Sequence, residues 1–129
     1  MDILFLIGRI LFGGFFIMNG FNHLKNKKMI SGYAASKGVA SPDLAVVVSG
    51  LLILLGGLGV LLGVYTQLSL WFIIIFLVLV SLKIHNFWAV EDPMAKMMEQ
   101  VQFMKNMALV GASLMMMLMA EPWVLSVTF

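Results

Sequence analysis

Leu44-Ala45-Val46-Val47-Val48-Ser49-Gly50-Leu51-Leu52-Ile53-Leu54-Leu55-Gly56-Gly57-Leu58-Gly59-Val60-Leu61-Leu62-Gly63-Val64 contains no ionisable side chain. At about 1.5 Å of rise per residue, a helix of this length crosses a hydrocarbon core of about 30 Å. No water is available there for backbone N–H and C=O groups, so such a stretch must satisfy them internally, as a helix. Three more apolar stretches flank it, at residues 3–21, 68–82 and 103–120. The pattern predicts an all-α membrane protein, a single domain over residues 1–129 built as a four-transmembrane-helix bundle. Composition agrees, with 62% hydrophobic residues, 11% charged residues and a mean hydropathy of +1.06. A water-soluble domain carries roughly a quarter of its residues as charges. The formal net charge is only +2 and the lysines are grouped, which points to membrane orientation and not to nucleic acid.

Helix punctuation supports the division. Ser41-Pro42-Asp43 offers an N-cap, a proline at the first helical position and an acid in the first turn, and Asp92-Pro93 repeats the device. The helix that begins at Pro93 therefore carries residues 94–102 outside the hydrocarbon, and Pro122 ends it before Trp123, a residue suited to the headgroup layer. Tyr65-Thr66-Gln67 is a minimal turn between the second and third spans. Residues 22–43 are too many for a turn. Met29, Ile30, Tyr33 and Ala34 fall at helical spacing there, with Lys25 and Lys28 off the stripe and Gly38 as a stop. This predicts a short interfacial helix between the first and second spans, with disorder as the alternative. The first apolar stretch lacks a basic leader and a small-x-small cleavage site, so it reads as a retained helix.

Of the eight Lys and Arg residues, the seven lysines (25, 27, 28, 37, 83, 96 and 105) fall in or beside the first and third connections. The positive-inside rule makes those connections cytoplasmic and both termini extracytoplasmic. Gly56, Gly57 and the Gly59/Gly63 pair in the second span, with Gly13-Gly14 and Gly111-Ala112-Ser113 elsewhere, are thin places where helices can approach.

Charges within a bilayer are costly and mark places of interest. Arg9 lies about two turns into the first span and Glu121 at the far end of the fourth, so they are candidates for a structural ion pair; snorkelling of Arg9 to headgroups is the alternative. At the opposite end Asn19, Asn22 and His23 share a face. Lys83, His85, Asn86 and Trp88 close the third span, and Lys105 and Asn106 open the membrane part of the fourth. In a compact bundle these ends converge on one polar patch holding both histidines of the chain. His23, His85, Asn86, Trp88, Lys105 and Asn106 are the ligand-binding candidates, because imidazoles titrating near neutral pH relay protons, ligate metals or hydrogen-bond a quinone carbonyl. The same residue types are also ordinary where helices leave the hydrocarbon.

Other chemistry is poorly supplied. There are no cysteines, which excludes disulfides, thiolate nucleophiles and thiolate metal sites. Two histidines give only two ligands, so no metal site is expected. Most of the twelve methionines lie between Met94 and Met119, and the run Met115-Met116-Met117 points in three directions around a helix, which suits packing better than copper(I) ligation. No phosphate-binding loop, nucleophile–base motif or pair of intramembrane carboxylates is present, so no catalytic residue is assigned.

The chain resembles the DoxX-like family of small four-helix membrane proteins. The resemblance rests on Arg9 and Gly13, Phe21-Asn22-His23-Leu24-Lys25, Leu55-Gly56-Gly57-Leu58, Leu62-Gly63, His85-Asn86-Phe87-Trp88, and Phe103-Met104-Lys105-Asn106-Met107-Ala108-Leu109-Val110-Gly111. It implies a multi-pass protein of a prokaryotic cytoplasmic membrane. Some relatives are subunits of quinone-linked oxidoreductases, and others are tied to oxidative-stress complexes. One departure is that members often carry a glutamate shortly before the Gly-Gly pair, where this chain has Leu52-Ile53-Leu54.

Three functions are then to be weighed. The first is a redox-associated membrane subunit that binds a quinone or docks an oxidoreductase partner at the histidine patch. The second is a non-enzymatic scaffold, recruiting a soluble partner or anionic lipid through the basic connections at roughly 1 kcal/mol per lysine. A transporter ranks last, since the second span offers no polar pathway and the third only Ser69 and Ser81.

Overall fold

The computed structural model describes residues 2–127, all helical or irregular, with no strand among them. Helix α1 spans Asp2–Lys25, α2 Lys27–Ser36, α3 Pro42–Leu62, α4 Thr66–Lys83 and α5 Pro93–Met117, with a single 3-10 turn at Phe87–Ala89. Among the described residues three stretches are long and apolar enough to cross a membrane: Asp2–Lys25, Pro42–Leu62 and Thr66–Ala89. Helix α5 has comparable length, 25 residues, but its first half carries Lys96, Glu99 and Lys105. The protein is thus a helical membrane protein with a short extra helix, α2, where the interfacial helix was expected.

The long helices pack in the order α1, α3, α4, α5, each antiparallel to its neighbour, and α2 lies across α3 and the end of α1. Glycine sets the α1–α3 distance. A Cβ placed on Gly13 would lie 2.7 Å from the Gly57 carbonyl oxygen, and one on Gly20 would lie 2.8 Å from that of Gly50. On its other side α3 meets α4 through Gly56 and Gly59, where any side chain would strike Ser69. Phe16, Ile53, Val60, Leu70, Ile73, Leu77 and Trp123 form the buried core. Helices α1 and α5, at the two ends of the row, do not pack along their length.

The far end of the bundle is closed by Arg9, which is 1% exposed. The last four carbonyls of α3 have no partner within the helix, and each is satisfied. Gly59 O accepts from Gly63 and Val64 N–H. Val60 O accepts from Arg9 Nε at 3.2 Å and Leu61 O from Arg9 Nη2 at 2.8 Å. Leu62 O accepts from Val127 N–H at 2.8 Å. The guanidinium also reaches the Val124 and Leu125 carbonyls, tying down the segment after α5. Its carbon lies 5.7 Å from the Phe5 ring centroid and 5.9 Å from that of Trp123.

Several expectations change. Arg9 and Glu121 do not form an ion pair: Glu121 accepts from Thr66 Oγ1, while the guanidinium sits at the electronegative C-terminus of α3. Helix α5 stops at Met117 and not at residue 120. Leu118 and Met119 bond back only three residues, and Gln67 Nε2 takes the Met117 carbonyl at 2.9 Å. Ser41 makes no side-chain cap, having turned left-handed with φ +48°, whereas Asp92 caps Ala95 N–H as its sequence suggests. Gly59/Gly63 is not one packing motif, because Gly63 (φ +72°) ends α3. Gly14 and Gly111 face open space.

This arrangement separates two adjacent glycines. Gly13→Ala should destabilise the protein by about 1–3 kcal/mol through overpacking against α3. Gly14→Ala should be neutral, or stabilising by up to about 1 kcal/mol, through helix propensity alone. Equal unfolding midpoints for the two variants in one detergent would contradict the packing described.

Candidate functional site

The polar end of the bundle is built from helix ends. Asn19 and His23 occupy one face of the last turns of α1, at i and i+4, and His23 stacks edge-on to Phe76 of α4 with centroids 5.7 Å apart. The chain leaves α4 when Ile84 and His85 N–H both bond to Val80 O, which turns His85 toward α5. On α5, Glu99, Gln102 and Asn106 share a face at i, i+3 and i+7, opposite the exposed stripe of Met94, Met97, Met98, Val101 and Met104.

Where α1 and α5 part, these ends surround a cavity of about 670 Å³. Its body is apolar, with Phe15 and Phe16 from α1, Val46 and Leu52 from α3, and Phe76 and Leu77 from α4. Its polar side chains are Asn19, His23, Tyr33, Ser49, Lys83, His85, Gln102, Lys105 and Asn106. Ile30, Tyr33 and Ala34 of α2 contribute to its wall. Asn106 is only 5% exposed. Lys105 Nζ donates to Gln102 Oε1 at 2.8 Å and lies 5.4 Å from the Phe15 ring centroid, one of the few points where α1 and α5 meet.

Four of the six ligand-binding candidates, His23, His85, Lys105 and Asn106, line this cavity, and Asn86 and Trp88 do not. Asn86 precedes the 3-10 turn, and Trp88 packs edge-to-face on Phe87 and Phe103, at 5.3 and 5.6 Å, with half its surface exposed. The aromatic wall assigned to Trp88 is supplied instead by Phe15, Phe16 and Phe76.

Two residues absent from that set are central. Glu99 Oε2 lies 2.6 Å from His85 Nδ1, and Glu99 Oε1 accepts from Tyr33 OH at 2.7 Å. One carboxylate thus links α2, α5 and the end of α4. Tyr33 reads from sequence as part of an apolar stripe, and Glu99 only as one of three acids, with Glu91 and Asp92, that would have to fold back to complete a metal site with the histidines. The signal for Glu99 is its spacing with Gln102 and Asn106. Burial alone would raise the Glu99 carboxyl, but hydrogen bonds from Tyr33 and His85, with the charges of His85 and Lys37, outweigh it and hold it below the ordinary carboxylate value. Burial, then the hydrogen bond to Glu99 and its charge, push the Tyr33 phenol up to about 12, so it remains a donor across the physiological range.

A depressed carboxyl stabilises the fold at pH values above its unfolded pKa, and that contribution is lost as pH falls through the lowered folded value. Amide exchange in α2 should therefore rise relative to α3 only below about pH 4.5, the ordinary carboxylate value. In Glu99→Gln the exchange ratio should not respond to pH over the same range. A wild-type ratio that is flat with pH would contradict the link from Tyr33 to Glu99.

The DoxX family model matches residues 4–86, covering α1 to α4 and both histidines and ending before α5. No curated protein and no solved structure matches the chain. Glu99, Lys105 and Asn106 lie beyond the matched segment. Since that segment is more than half of the 129 residues, the chain belongs to the DoxX family.

Proposed function

We propose that this protein is a membrane subunit that holds a quinone-type molecule in the cavity between α1 and α5 and serves a redox partner protein. The observation that carries the reading is the cavity itself. Its volume of about 670 Å³ falls in the range of roughly 300–1,000 Å³ typical of small-molecule sites. Its apolar body suits an isoprenoid or alkyl tail, and His23, His85, Lys105 and Asn106 are grouped for a polar ring. The gap between α1 and α5 gives a lipid-soluble ligand a lateral way in.

The proposed setting is a prokaryotic cytoplasmic membrane crossed four times, by α1, α3, α4 and α5. Antiparallel packing of α5 on α4, with Gln67 meeting Met117 at the Arg9 end, supports counting α5 as a span. All seven lysines lie at the cavity end: at the ends of α1 and α4, on and after α2, and in the first half of α5. By the positive-inside rule that end is cytoplasmic and both termini face outward.

A second reading has its own observation. Lys25, Lys27 and Lys28 are exposed and outside the cavity lining, a surface suited to anionic lipid or an acidic soluble partner. Such binding falls with salt and ignores the histidines.

Detergent-purified protein should bind 6-decyl-ubiquinol, and His85→Ala should weaken that binding at least tenfold, about 1.4 kcal/mol. Unchanged affinity in the variant would remove the quinone reading. A reporter joined after residue 129 should be active only when it is one that functions outside the cytoplasm, and cytoplasmic activity would reverse the orientation.

A further inference from the structure

Both imidazoles of the cavity spend Nδ1 on a partner that can only accept. His23 Nδ1 lies 2.8 Å from the Asn19 carbonyl oxygen, one turn back in α1. His85 Nδ1 lies 2.6 Å from Glu99 Oε2. A carbonyl has no proton to give, and the Glu99 carboxylate accepts from Tyr33 OH on its other oxygen, which favours the ionised form. Nδ1 of each histidine therefore carries a proton, and in a neutral imidazole the remaining lone pair is on Nε2. The cavity then presents two imidazole acceptors together with the ammonium donors of Lys83 and Lys105.

We propose that the cavity selects a head group carrying hydroxyl donors, and so takes the reduced, dihydroxy-aromatic form of its ligand in preference to the quinone. This rests on the reading of the cavity as a quinone-type site. A quinol oxygen can accept from a lysine and donate to an Nε2 at the same time. A quinone oxygen can only accept, so it offers those Nε2 lone pairs no donor, and an acceptor that the ligand shields from water without pairing is costly. Glu99 is a positioning residue in this scheme: it does not line the cavity but determines which nitrogen of His85 faces the ligand. Tyr33 holds the other oxygen of the same carboxylate, so the setting of His85 depends on α2 being seated.

The test compares 6-decyl-ubiquinol with 6-decyl-ubiquinone on the detergent-purified full chain, without oxygen, at pH 8. The quinol should bind about tenfold more tightly, as expected for unpaired acceptors. In Glu99→Ala that preference should shrink to about threefold or less. Histidine ¹⁵N spectra of the same wild-type sample should show the proton of the neutral ring on Nδ1 in both histidines, and in Glu99→Ala only the His85 signals should change. Equal affinity for the two forms, or tighter binding of the quinone, would overturn the selection and leave the quinone-type site standing. A protonated Nε2 in the neutral form of either histidine would overturn it independently of any ligand. Binding of neither form would overturn the quinone-type reading and the selection with it. If Glu99→Ala does not fold, the wild-type affinity ratio and the wild-type tautomers decide.

Discussion

Close backbone approach between α1 and α3 organises the rest of the bundle. Lipid supplies no hydrophobic drive between helices, so association depends on van der Waals contact and hydrogen bonds, and glycine removes the side chains that would hold backbones apart. Gly13 meets Gly57 and Gly20 meets Gly50, so α1 is held against α3 from Gly13 to Gly20. Helix α3 uses its opposite glycine face on α4. With α1 committed to one side of α3 and α5 to the far side of α4, the ends of the row stay apart, and the cavity is the space between them. The cavity is a consequence of where the small residues are, and its walls are the large side chains left over.

The polar cluster follows from the same row. Antiparallel order brings the end of α1, the end of α4 and the start of α5 to one level, and α2 covers that level because Gly38 (φ +79°) and the left-handed Ser41 turn the chain back into α3. Glu99 joins three of these pieces through two hydrogen bonds. A carboxylate shared between a phenol and an imidazole is acceptor to both, so neither partner has a choice of proton position. That constraint gives the cavity chemical character beyond its shape.

Much of this is legible in the sequence, for identifiable reasons. Uninterrupted apolar runs give the helices, and Asp92-Pro93 gives the start of α5, because bilayer thickness and capping chemistry act locally. The convergence of His23, His85, Lys105 and Asn106 is readable because four antiparallel elements leave only two ends at which they can meet. What escapes is decided by rotation about a helix axis. Gly13 and Gly14 look alike in sequence, and one is wedged while the other is free. Trp88 and His85 are three residues apart, yet a 3-10 turn sends only one of them to the cavity. Arg9 needs no carboxylate where backbone carbonyls serve as acceptors, and the terminus of α3 offers two.

That last contact has a consequence for biogenesis. Arg9 enters the membrane with the first helix, but Val124, one of its acceptors, lies 115 residues further along the chain. At roughly 5–20 residues per second of synthesis, those 115 residues take about 6–23 s to appear. In that interval the guanidinium must remain with headgroups or interfacial water, and it can move inward only as α3 and then the tail arrive. Helix α1 therefore enters ahead of α3 but reaches its final depth only after the tail has arrived. The order of translation and the order of settling run in opposite directions.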